Sequence, residues 1–166
     1  NALLCFAGNL KKSDFIKELP PSLISAGFNC YGKGFAADYK GEFKGEYDPE
    51  TLAHVLDGKF GLVWDGKSAA TCSGSFGKYL RINTSHKFGL YLASAKPVIV
   101  WKEGSICDFV ISHKIGFAVN SLYEIPEVLS QIDINVYNKM VENVMNIRKE
   151  AIDMDHLRNV ILSSFK

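Results

Sequence analysis

The chain carries almost no net charge: 19 lysines and arginines face 18 acids, a formal +1 over 166 residues. Nothing global therefore points to nucleic acid, an acidic partner or a charged membrane surface. No apolar run approaches the length of a membrane span, and no secretory signal stands before the first strand-like run, so the expectation is a cytoplasmic protein, with a place at the membrane face through partners as the alternative. The four cysteines, Cys5, Cys30, Cys72 and Cys107, show no CxxC spacing. That disfavours a disulfide framework or a zinc site and favours small buried hydrophobes in a reducing compartment. His54, His113 and His156 follow no ligand spacing and read as surface or partly buried side chains, so no metal site is expected. Neither G-x-x-x-x-G-K-[ST] nor G-x-G-x-x-G occurs, which disfavours Walker-type NTPases and ordinary dinucleotide dehydrogenases.

Five apolar runs read as strands: 3–8, 28–32, 60–66, 97–101 and 116–119, with a weaker one at 42–47. Most are continuously apolar, as strands buried on both faces require. Helical stretches fall between them, at 13–26 (interrupted by Pro20 and Pro21), 48–56, 86–95, 105–113 and 121–131. Asp48 is a cap with Pro49 at the first helical position, and Ser85 caps the 86–95 segment. Val136, Met140, Val144 and Ile147, continued by Leu157, Val160 and Ile161, predict one or two long terminal helices over 135–165. The alternation implies an α/β fold, an open parallel Rossmann-like sheet flanked by helices. Ligands of such sheets sit beyond the carboxyl ends of the strands.

One further absence is local. Between Asp65 and Glu103 there is no acidic residue, while Lys67, Lys78, Arg81, Lys87, Lys96 and Lys102 lie in the same stretch. Lys87 falls in the first turn of a helix, where the dipole disfavours a cation. A bound phosphate would make it favourable, since helix N-termini present unpaired N–H groups. The alternative is a lysine reaching into solvent at a cost of a few tenths of a kcal/mol. Glycine-rich turns at 32–34 and 73–77 would let backbone approach a phosphate. Tyr91 is either core or ligand-facing, and Asp65 either binds a sugar hydroxyl or merely forms an Asp-Gly turn. His86 reads more simply as polar surface than as a base. Trp64 and Trp101 read as core. Glu103, the carboxylate after the fourth main strand, is a weak catalytic candidate and a candidate for donor-sugar contact.

The segment "NTSHKFGLYLASAKPVIV", with "FGLVWDG", "GEYDPETL" and "IGFAVNSLYEIPEVL", resembles the carboxyl-terminal domain of two-domain B-fold glycosyltransferases. The likeness is to bacterial accessory glucosyltransferases and galactofuranosyltransferases. It covers essentially the whole chain but only the second half of such an enzyme, so residues 1–166 correspond to the donor-nucleotide-binding domain. The resemblance implies an amino-terminal acceptor domain outside this chain and a natural length about twice this one. It also implies transfer of a hexose from a nucleoside-diphosphate sugar, UDP-linked in most relatives, to a glycan or glycoprotein without a metal cofactor. By matching position, Lys87 would contact the diphosphate, Asn83 and His86 would line the same loop, and Tyr91 would face the ligand. Gly8 and Asn9 would sit under the phosphates, Tyr31 and Gly32 near the base. The backbone at Gly104, Ser105 and Ile106 would form a second anion-binding end.

Two departures stand out. Leu90 occupies the place where many relatives have a ribose-binding Glu. Ala95 replaces a glycine at a helix end, making a left-handed conformation there costlier by about 1 kcal/mol. Alternatives are an inactive transferase-like partner module or another nucleotide-binding α/β enzyme domain. The long terminal helix would meet the missing domain or form a homo-oligomer.

Overall fold

The computed structural model describes residues 2–72 and 74–163, with side chains through Met154. Six parallel strands form one sheet: β1 (Leu4–Ala7), β2 (Phe28–Tyr31), β3 (Glu42–Gly45), β4 (Phe60–Val63), β5 (Val98–Trp101) and β6 (Gly116–Val119). Their order is β3-β2-β1-β4-β5-β6. β1, β2, β4 and β5 are buried at every position, which explains their apolar runs; the one polar residue among them, Asn29, donates its amide to Asp57 O. The weak 42–47 run becomes the exposed edge strand β3, paired to β2 with an irregularity at Cys30/Tyr31. Trp64 and Trp101 are core, as expected.

The helices are α1 (Pro21–Ser25), α2 (Pro49–Val55), α3 (Gly74–Ile82), α4 (His86–Ala93), α5 (Cys107–Ser112), α6 (Ile125–Ser130) and α7 (Ile134–Ser163). The 13–26 stretch divides into a 3-10 turn at 14–18 and α1 from Pro21, and a further 3-10 turn at 10–12 precedes it. Both expected caps form: the Asp48 carboxylate accepts from the N–H groups of Glu50 and Thr51, and the Ser85 hydroxyl accepts from Lys87 N–H. The terminal pattern is one 30-residue helix, in which Val144 is fully buried and Tyr137, Met140 and Ile147 pack on the core. The expected continuation through Leu157, Val160 and Ile161, and the setting of His156, concern side chains outside the described residues. His54 and His113 are exposed.

The helix α3 is not among the expected helices, since 73–77 reads as a glycine-rich turn in the sequence. Gly74 and Gly77 lower helix propensity, but Gly77 has a packing reason. A Cβ there would run into the Cys72 carbonyl.

Helices α4 and α5 end in the same way. Beyond α4, Lys96 N–H donates to Tyr91 O and Ala95 N–H to Leu92 O; beyond α5, Ile115 N–H donates to Val110 O and Lys114 N–H to Ile111 O. Both are Schellman closures, and the left-handed position is Ala95 (φ 54°) in one and Lys114 (φ 52°) in the other. The cost anticipated at Ala95 is therefore present. Ala95→Gly and Lys114→Gly are each expected to stabilise the domain by about 1 kcal/mol, raising Tm by about 2–4 °C in a thermal melt.

Cys5, Cys30 and Cys72 are buried and unbridged. Burial pushes each thiol up to about 12. Burial both disfavours the thiolate and blocks access, so a thiol reagent should modify half-buried Cys107 first and the other three only on unfolding. A thiol count in native and denaturing buffer checks this.

Candidate functional site

The sheet opens where its strand order changes direction. β1 pairs with β2 through Ala7, and β4 pairs with β5 through Val63, but β1 and β4 pair only at Leu4↔Phe60 and Cys5↔Gly61. Beyond that point the Tyr91 hydroxyl stands between the two strands. It accepts from Ala7 N–H at 3.0 Å and donates to Leu62 O at 3.1 Å. Its ring lies against Gly61, where a Cβ would collide with it. Tyr91 is fully buried, and desolvation pushes its hydroxyl well above the ordinary tyrosine range. The expectation that it faces a ligand is corrected. The next turn of α4 aims inward, because α4 packs on β4, and both hydroxyl directions are used by backbone.

Above this opening lies a cleft of about 770 Å³. Its floor is the β1 end at Ala7, Gly8 and Asn9 and the β4 end at Asp65. Ser85, His86, Lys87 and Leu90 contribute from the start of α4. Phe76 and Tyr79 of α3 and Tyr47, Pro49 and Leu52 around the start of α2 make the walls mainly apolar. This is the switch-point crevice at which open α/β sheets bind ligands.

Lys87 is central and paired. Its ammonium donates to both carboxylate oxygens of Asp65, at 2.8 and 3.0 Å, with the side chains 14% and 20% exposed. The same Nζ sits 5.3 Å from the Phe6 ring centroid. A Cβ on Gly8 would come within 3.0 Å of Lys87 Cε, so the glycine makes room for the lysine. The acid-free stretch thus reads differently in three dimensions. Its two bordering acids fold back onto it, Asp65 onto Lys87 and Glu103 onto Arg81.

Of the candidate contact residues singled out from sequence, Gly8, Asn9, Asp65, His86 and Lys87 line the cleft. Gly8 N–H, however, donates to Tyr31 O, and the Asn9 side chain accepts from Lys11 N–H. Gly32 stands behind Gly8, so close that a Cβ would strike Gly8 O. Tyr31 is buried, its hydroxyl accepting from Asp57 N–H and donating to Val55 O. It reaches the cleft only through Tyr47, whose ring centroid is 6.3 Å away.

Asn83 and Ile106 border a separate cavity of about 10 Å³, too small for a ligand. Ser105 N–H donates to Leu80 O and Gly104 N–H to Trp101 O. The expected second anion-binding end at 104–106 is corrected at these two positions, since their donors already bond within the fold. Glu103 is held by Arg81, Arg81 Nε donating to Glu103 Oε2 at 3.1 Å, while the guanidinium lies over Trp101. It does not line the cleft, which corrects its candidacy. The aromatic walls are not legible in the sequence. Tyr47 falls in the weak run 42–47 and in "GEYDPETL" with no sign of a cleft role, and Phe76 and Tyr79 belong to α3, which the sequence pattern does not show.

Residues 4–164 match the family described as "Glucosyltransferase 3-like, C-terminal domain". The chain belongs to this family. It is 33% identical over 160 residues to beta-1,6-galactofuranosyltransferase WbbI of Escherichia coli (strain K12), covering 94% of this chain and 47% of that protein. It is also 33% identical over 96 residues to glucosyltransferase 3 of Streptococcus gordonii, covering 58% of this chain and 28% of that one. The chain thus spans about half or less of the length of these curated relatives. As a Glucosyltransferase 3-like C-terminal domain it is a glycosyltransferase domain, with the cleft at the carboxyl ends of β1 and β4 as its candidate site. Among the described residues, no helix is long and apolar enough to cross a membrane.

Proposed function

We propose that this domain holds the donor of a glycosyl transfer, a nucleoside-diphosphate sugar that is UDP-linked, and stabilises the departing diphosphate. The observation that carries the reading is the convergence of Lys87, the start of α4 and the side-chain-free Gly8 in one cleft at the switch point. Negative charge grows on the diphosphate as the glycosidic bond breaks. A lysine and a helix N-terminus fixed beforehand lower that barrier without a metal. The apolar walls around Tyr47, Phe76, Tyr79 and Leu90 suit the flat face of a base. The acceptor, a glycan or glycoprotein, and any catalytic base belong to an amino-terminal domain outside this chain, against which the cleft would close.

Calorimetric titration with UDP, with GDP and ADP as controls, tests the reading. Selective UDP binding that weakens about tenfold or more in Lys87→Ala is expected, since a charge-assisted contact to phosphate is lost. Equal binding of all three nucleotides, or no effect of the substitution, would count against it. The chain alone should bind nucleotide without turnover, and robust sugar transfer by these 166 residues would refute the division of labour.

A further inference from the structure

The lysine at the centre of the cleft is not waiting in solvent. Both oxygens of Asp65 hold it, and both side chains are largely buried at the cleft floor. Asp65 is also the only carboxylate among the described residues that line the cleft, whose other ionisable residues are Lys12, Tyr47, Tyr79, His86 and Lys87. An anion that draws Lys87 toward itself leaves Asp65 without its counter-ion, mostly out of water and close to a second negative charge. Removing one partner of such a pair is the costly half of the exchange. A ligand that brings hydroxyl donors together with its phosphates repairs it, because an ionised carboxylate accepts hydrogen bonds from hydroxyls at short range. Leu90, on the same cleft wall, offers no hydroxyl contact of its own.

The geometry points to Asp65 as the specificity-determining residue of this cleft. It pins Lys87 when no ligand is bound, and it exchanges the lysine for adjacent hydroxyls of the ligand when a phosphate takes Lys87. The exchange turns one ion pair into two matched contacts, ammonium to phosphate and carboxylate to hydroxyl. Phosphates lacking hydroxyls are thereby selected against. The inference rests on the donor-binding reading above, and the hydroxyls belong either to the ribose or to the transferred sugar.

The test is titration of wild type, Asp65→Ala and Asp65→Asn with inorganic pyrophosphate, UDP and UDP-glucose, after thermal melts show that all three proteins are folded. Wild type should prefer the hydroxyl-bearing ligands. In Asp65→Ala, pyrophosphate binding should rise about fivefold as Lys87 is released, the scale of one partly exposed ion pair. The hydroxyl-bearing ligand gains the same release but loses its carboxylate contact, so its binding should fall about twofold and its advantage about tenfold. Asp65→Asn should show the same pyrophosphate gain while keeping part of that advantage, because its amide still accepts from a hydroxyl. A fall already present between UDP and pyrophosphate assigns the ribose; a fall confined to UDP-glucose against UDP assigns the sugar. Equal tightening of all three ligands would overturn the proposal by reducing Asp65 to a competing counter-ion. Equal weakening would overturn it by making Asp65 a mere support for Lys87. Failure of the donor-binding reading shows separately, as wild type that binds neither UDP nor UDP-glucose.

Discussion

Gly61→Ala is expected to destabilise the domain by about 3 kcal/mol, the upper end for an overpacked core site. The added methyl would enter the Tyr91 ring, and neither side can yield cheaply. Gly61 belongs to β4, paired on one side with Cys5 and on the other with Val98. Tyr91 is tied at its far end by Ala7 N–H and Leu62 O. Chemical denaturation of the variant measures the loss. A double-mutant cycle with Tyr91→Ala isolates the cause, since the cost of the methyl should largely vanish once the ring is gone. A cost unchanged in the Tyr91→Ala background would place the strain in the strand backbone instead. Tyr91→Phe, which keeps the ring, should itself cost about 1–3 kcal/mol because the Ala7 N–H is left buried without its acceptor.

Gly32→Ala is the second large effect, expected at about 2–4 kcal/mol from a left-handed backbone and a collision together. Gly32 has φ 121°, a conformation an L side chain rarely adopts, and its Cβ would strike the Gly8 carbonyl. The collision must move the β1 end, which forms the cleft floor. The same substitution should therefore also weaken any ligand that lies over Gly8. Gly74→Ala is the control: φ is 69° but a Cβ meets nothing within 4 Å, so only about 1 kcal/mol of backbone strain is expected. Comparable losses at positions 32 and 74 would show that the contact with Gly8 contributes little.

The cleft was half legible from sequence. Gly8, Asn9, Asp65, His86 and Lys87 are legible because strand ends, a capped helix start and a misplaced cation are local signals. The residues alone leave Tyr91 open between core and ligand, because helical spacing does not say which way a helix is rotated on its sheet. The packing of α4 on β4 decides that, and the hydroxyl bridge between β1 and β4 gives Tyr91 a role that spacing could not suggest. Phe76 and Tyr79 were missed because glycines hid α3, while the constraint that requires Gly77 is a contact with Cys72 and has no helical period.

The sequence by itself determined the α/β class, the five main strands, the caps at Asp48 and Ser85 and the strained helix end at Ala95, since burial on both faces, capping chemistry and φ preference act over a few residues. It also carried the family. Only the tertiary structure decided how the charges pair. Asp65 and Lys87 stand 22 positions apart in the chain, as do Arg81 and Glu103, and an absence of acids along the chain says nothing about what the fold brings back to meet the bases.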